Sequence, residues 1–377
     1  MTLTEAKNDT QGILVLGDAN SAALRHELPI GLPGAMAYAE FAGKRYAFAH
    51  AFDVENIQDL DPGLEVLSLG EFGMWEAMAK TNSFDAAIAE AVSRACDHIG
   101  LRNAVTPADF PFGAAELLQR SGIELQADPA RFEARRRRKT AGEIAGIRRA
   151  VLAGEAGVTA IFERIASGEP VSCDQLRVTA WSRYPDYGAQ PHNMLLVGCG
   201  PQTFDIHGEG DAPIVPHQPI LIDTLARDRD SGCWADFTRT VCLGSPPERL
   251  RQCHEDVLEA GRLATAAAAP GVPFSELDRI AARYLSDRGH PTRLDTEDGQ
   301  HPAEGYLHGI GHGVGLEIAE PPFDGGQSEL MPGDVITVEP GVYYEGFGGV
   351  RIEDMLLITD DGHEVLTRIP YDLQLPV

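Results

Sequence analysis

Two glutamates, Glu339 and Glu353, each interrupt an apolar run of β type in the stretch from Val335 to Leu357, and a Gly-rich bend through Gly346, Gly348 and Gly349 lies between the runs. Two such runs around a turn read as a hairpin, and a carboxylate on a strand that would otherwise be buried demands a cation or a metal ion beside it. Alternation along the strand puts Arg351 and Glu353 on one face. A structural ion pair between Arg351 and a glutamate is one reading, and a metal site is the other. The choice turns on whether further ligands exist. ProIleLeuIleAspThr at 219–224 and AlaAspPheThrArgThr at 235–240 carry Asp223 and Asp236 on strand-like runs, joined by a polar connection that contains Gly232. A hairpin there brings two carboxylates together, and a dication relieves their repulsion. Asp223 as a simple turn cap is the alternative, weakened by the presence of two such hairpins. His308 and His312 stand in HisGlyIleGlyHisGlyValGly, whose glycines at 309, 311, 313 and 315 argue against a helical zinc pair and leave at most one of them as a ligand. His207, in a loop before GlyGluGlyAsp, can face a cleft.

These residues need a frame. From Gly12 to about Glu133 short apolar runs, such as IleLeuValLeu at 13–16 and TyrAlaPheAla at 46–49, alternate with helical stretches, of which Phe84 to Ile99 is the clearest. This is an α/β domain without GxGxxG, P-loop or clustered chemistry, so it reads as a supporting or oligomerising domain over 1–137. ArgArgArgArgLys at 135–139 reads as a solvated linker at the boundary rather than a nucleic-acid patch. Thr140 and Glu143 then have capping-box spacing ahead of a long amphipathic helix that ends at Gly168 and opens a second domain, 138–377. Helices are expected from Pro246 to Ala268 and from Ser275 to Gly289, with a loop over 292–307.

Composition excludes several classes. With 31 Lys and Arg against 57 Asp and Glu, the net charge of −26 repels nucleic acid and anionic membranes. The six cysteines have no CxxC pair or framework spacing and read as reduced thiols. The first residues, MTLTEAKNDTQ, lack a signal-peptide pattern, and no window approaches a membrane span, so the expected location is cytoplasmic.

In order along the chain stand Asp223 with AspPheThrArgThr, GlyHisGlyValGlyLeuGlu, ValGluProGlyValTyr and ValArgIleGluAsp, with GlyProGlnThrPheAspIleHisGly upstream. Together they resemble the Xaa-Pro dipeptidase (prolidase), aminopeptidase P and methionine aminopeptidase family of pita-bread metallopeptidases. The resemblance covers the chain from about residue 138, and the part before it looks like the creatinase/prolidase N-terminal domain. It implies an α+β fold, with a pita-bread catalytic domain behind a smaller α/β domain, and a homodimer. It also implies two divalent ions, Mn favoured over Co, Fe or Zn for hard oxygen ligands with one imidazole. Asp223, Asp236, His312, Glu339 and Glu353 would be the ligands, with Asp236 and Glu353 bridging. His207 would contact the substrate and its oxyanion, Glu339 would shuttle the proton, and Arg351 would support the bridging carboxylates.

The implied reaction is hydrolysis of Xaa-Pro bonds by a water ionised between the two metals, on small peptides and most readily dipeptides. The alternatives are an Xaa-Pro aminopeptidase on longer peptides and a creatinase-like or non-catalytic relative. A dipeptidase needs a cation for the free carboxylate, for which Arg351 and Arg368 are candidates. Two departures stand out. Where the family usually has a second histidine, seven residues after His312, this chain has Ala319, and His308 or a tyrosine is expected to substitute. Asp223 and Asp236 are 13 positions apart, a wider spacing than the family more often shows.

Overall fold

The computed structural model describes residues 11–192, 194–296, 299–326 and 328–376. The N-terminal stretch read for a targeting signal lies almost wholly outside them, as do residues 297 and 298 of the expected 292–307 loop. The chain forms two compact units, Met1–Arg136 and Arg137–Val377.

In the first unit the apolar runs become a six-stranded mixed sheet in the order Leu64–Ser68, Lys44–Ala49, Met36–Phe41, Gly12–Gly17, Asn103–Thr106, Glu124–Ala127. Helix Phe84–Ile99 has the predicted limits. Ser21 and Ser83 side chains cap the N-termini of Ala22–Glu27 and Phe84–Ile99. Burial of Leu14, Phe48, Ile88 and Val92 between sheet and helices makes its core.

The second unit opens as its sequence dictates. The Thr140 side chain accepts from the Glu143 N–H while Glu143 accepts from the Thr140 N–H, and helix Ala141–Ala166 follows. Positive φ at Gly168 lies just past its end. This helix packs on the long antiparallel ladder of Ile220–Asp228 with Trp234–Leu243, in which Asp223 opposes Thr238 and Asp236 opposes Leu225. All four therefore share one face. Helices Glu248–Ala267 and Phe274–Asp287 bury Val257, Leu277 and Leu285 in a second core with Ile336 and Leu356.

The stretch from Val335 to Leu357 is more divided than a single hairpin. Val335–Val338 pairs with Asp354–Ile358 as an outer ladder, and Gly341–Tyr344 pairs with Gly348–Arg351 as an inner one in a separate sheet. Glu339 and Glu353 occupy the two breaks between the ladders. The shared strand face expected for Arg351 and Glu353 is thus replaced by a break, since one strand ends at Arg351 and the next begins at Asp354.

The basic run is not a solvated linker. Residues 135–137 end the helix Pro129–Arg137, and in the first unit Arg135 binds Glu27 and Glu40. In the second, Arg137 binds the buried Asp334, and Lys139 is buried against Glu320. Nothing in the run's composition revealed these distant acidic partners. All six cysteines are buried thiols. Among the described residues no helix is long and apolar enough to cross a membrane.

Gly154 is where the long helix meets the sheet, since a Cβ there would lie 2.8 Å from both Phe237 and Thr224 side-chain atoms. Gly154→Val should force helix and ladder apart and cost about 1–3 kcal/mol, read as a lowered urea midpoint at unchanged slope.

Candidate metal centre

Asp223 and Asp236 project from the same face of the long ladder, and the chain break after Arg351 delivers Glu353 to them. Side-chain oxygens of the three lie within 4.8 Å of one another, and all three residues are buried. His312, at the start of the two-residue strand His312–Gly313, brings Nε2 to 3.7 Å from Asp236 Oδ2 and 3.6 Å from Glu339 Oε1. The five sequence-predicted ligands thus converge on one cavity of about 580 Å³, which His207, His308, Arg351 and Ala319 also line.

The surroundings fix each group. The Glu353 N–H donates to Thr238 O at 3.0 Å, and its side chain accepts from Thr238 Oγ1 at 2.7 Å. Arg239, itself buried, holds the Glu353 carbonyl at 2.6 Å. Arg351 N and O both engage Thr240 Oγ1, at 3.1 and 2.9 Å. The ladder strand therefore sets the 351–353 segment although the two belong to different sheets. On the other side, Glu339 N donates to Ile310 O at 2.8 Å and His312 N to Thr337 Oγ1 at 3.0 Å.

Arg351 supports the site by a route other than the one expected. Its Nη2 pairs with Asp223, its Nε donates to Thr238 Oγ1 at 2.9 Å, and its Nη1 reaches Tyr343 OH at 3.3 Å. Thr238 then relays it to Glu353. Glu353 is not its direct partner. His308 is occupied as well. Nδ1 faces the Gly309 carbonyl at 2.8 Å, so it carries the proton, and Nε2 accepts from Tyr343 OH at 3.0 Å. Burial and Arg351 push His308 down to about 3, so it is a neutral member of the Arg351–Tyr343 chain. No ring nitrogen is left to replace a histidine at Ala319. His207 is exposed on a cavity wall. Arg368 is exposed and does not line the cavity.

Three supporting residues carried no signal of their role in the sequence. Thr238 stood inside AspPheThrArgThr and Tyr343 inside GlyValTyr, yet only tertiary contacts give them functions. Asp324 is the third. Its Oδ2 accepts from Ile310 N at 2.5 Å and Gly311 N at 3.4 Å, bracing the loop between His308 and His312. Gly309 must lack a side chain here, because a Cβ would fall onto that carboxylate.

Packing four carboxylates together has an electrostatic cost. Burial, then Asp223 and Glu339, push Asp236 well above the usual carboxylate range; burial, then Asp236 and Glu339, do the same to Glu353. Glu339 is raised by burial and drawn back by His312 and Arg351. Asp223 Oδ1 is buried without any hydrogen-bond partner. A clustered, oxygen-rich set with one imidazole and an orphaned acceptor is what divalent cations complete, so the residues fit a two-ion centre.

Solved structures share this architecture. The Xaa-Pro dipeptidase of Bacillus anthracis superposes with a TM-score of 0.79 at 23% identity, covering 98% of this chain and 96% of that one. The X-Pro aminopeptidase of Thermotoga maritima gives 0.75 at 21% identity over 98% and 97%. The fold is thus the α+β pita-bread fold with a preceding α/β domain. Residues 145–360 match the model of metallopeptidase family M24, and the chain belongs to that family. The Xaa-Pro dipeptidase of Pyrococcus furiosus is 34% identical over 243 residues, 62% of this chain and 64% of that relative, so less than two thirds of the relative's length is matched.

Two outcomes follow. Asp236, Glu339 and Glu353 have folded-state values above their unfolded ones, so the native state binds more protons and stability falls as pH rises through those values. In chelator, the denaturation midpoint should therefore rise on going from about pH 8 to about pH 5, and saturating divalent metal should abolish or reverse that slope. Arg351→Met strands Asp223 unpaired and should cost the metal-free protein about 3–5 kcal/mol in denaturant titration.

Proposed function

We propose that this chain hydrolyses the peptide bond preceding proline with two divalent ions held by Asp223, Asp236, His312, Glu339 and Glu353. The convergence of three buried carboxylates within 4.8 Å, beside His312 and Glu339, is the observation that carries this reading. The naming of a 34% identical relative as an Xaa-Pro dipeptidase supports the bond type. Manganese suits so oxygen-rich a set. Bound there, the ions supply Lewis acidity, lowering the pKa of a water molecule and polarising the scissile carbonyl.

The chain does the rest. Glu339, raised by burial and lining the cavity, accepts the attacking water's proton at a carboxylate oxygen and releases it to the departing proline nitrogen. His207 donates to the carbonyl oxygen as negative charge collects on it. Asp236 and Glu353, the most buried of the proposed ligands, would be the pair shared between the two ions, and Thr238 and Arg239 keep Glu353 from turning away. Proline offers no N–H, so the apolar walls, among them Ile206, Leu225 and Ile318, hold it by shape. Retention of all five ligands speaks against a creatinase-like or non-catalytic relative.

The test is a chelator-stripped sample reloaded with Mn or Co and assayed on Xaa-Pro peptides. Glu353→Ala should lose bound metal by elemental analysis together with activity. Glu339→Gln should lower kcat by about 10²–10⁴. No turnover of any Xaa-Pro peptide with two ions bound would reject the peptidase reading.

A further inference from the structure

The charge lining the cavity bears on which Xaa-Pro compounds enter it. In a free dipeptide the proline carboxylate lies two bonds from the scissile nitrogen and would be buried with it, where a carboxylate requires a cation or several donors. Neither arginine available from the sequence serves. Arg351 is only 3% exposed and spends its guanidinium on Asp223, Thr238 and Tyr343. Arg368 lies outside the cavity. His308 has both ring nitrogens engaged. Using His207 for the carboxylate would remove it from the scissile carbonyl.

Among the described lining residues, the wall beyond His312 is Ile318, Ala319, Phe323 and Asp324. Summed over the lining, two dications and Arg351 would offset the four ligand carboxylates and Asp324, but the guanidinium is spent on Asp223 and the partners of Asp324 are backbone N–H groups alone. At its own end of the cavity the Asp324 carboxylate therefore faces the substrate without a cation beside it. It cannot swing aside, because the N–H groups of Ile310 and Gly311 hold Oδ2 and the bare Gly309 packs against it.

We propose that Asp324 is a specificity-determining residue that sets this cavity against a free carboxylate beside the scissile bond, selecting Xaa-Pro substrates whose proline carboxyl is blocked as an amide, as by a following residue. The proposal rests on the Xaa-Pro reading above. It makes Asp324 a filter on charge, and the apolar Ala319 and Phe323 the surface over which a blocked carboxyl group passes.

The metal-loaded chain is assayed on one Xaa-Pro dipeptide, its C-terminal amide and a tripeptide extending it. The amide and tripeptide should exceed the free dipeptide by about tenfold or more in kcat/KM. D324N keeps an acceptor for the Ile310 N–H while removing the charge. It should raise the ratio of kcat/KM on the free dipeptide to that on the amide about threefold or more, whatever it does to turnover of both. A free dipeptide cleaved as well as its amide, or a D324N effect equal on all three substrates, overturns the proposal. Calorimetry with reduced-bond analogues, one ending in a carboxylate and one in an amide, separates the two readings. Tighter binding of the amide without turnover of any peptide would retain the charge filter and reject the peptidase, whereas equal binding would reject the filter.

Discussion

Mutual repulsion among buried carboxylates is the constraint around which the second unit is built. Asp223, Asp236 and Glu353 would separate, protonate or hydrate if their backbones allowed it. They cannot separate, because Asp223 and Asp236 stand on one paired ladder and Glu353 is tied to that ladder through Thr238 and Arg239. One permanent cation, Arg351, is admitted, and it is directed at Asp223 alone among the carboxylates. The remaining negative charge is a deficit that folding leaves for a ligand to fill, at the expense of the metal-free state.

The same constraint explains why so much polar material lies beneath the site. Arg239 bridges the carbonyls of Thr238, Glu353 and Ile369 and the Asp354 carboxylate, Tyr371 OH meets Asp354 at 2.7 Å, and Tyr343 joins His308 to Arg351. Each bond fixes a rotamer or a chain break that packing alone would leave loose. The nested ladders at 335–358 are one result. Glu339 and Pro340 lie just past the strand Val335–Val338, and the break at Glu353 is held from the neighbouring ladder strand, so both glutamates leave the pleat and line the cavity.

How much of this was legible follows the range of the interactions. The capping box at Thr140, the helix Phe84–Ile99 and the hairpin carrying Asp223 and Asp236 are local patterns of period or spacing, and the structure reproduces them. That the five proposed ligands line one cavity was readable from motif order, because each motif carries its residue with it. What escaped depends on partners far away in sequence. The basic run at 135–139 has the composition of a linker, and only Glu27, Asp334 and Glu320 turn it into ion pairs. Arg351 and Glu353 looked like partners on one strand until the break between them placed Asp223 and Thr238 at the guanidinium. Asp324 sits in ProProPheAspGlyGly, a stretch with no motif, and its role exists only through the N–H groups from which it accepts.

The wide spacing between Asp223 and Asp236 has a further meaning. The ladder holds both in continuous register, from Ile220 with Val241 out to Arg227 with Trp234, and leaves residues 228–233 at the tip beyond. The inner ladder from Gly341 to Arg351 similarly confines its turn to the end remote from Glu339 and Glu353. Ligand geometry is therefore insulated from loop length. The tips can lengthen, shorten or change composition during divergence, exploring new surfaces around a carboxylate cluster whose backbone positions stay fixed.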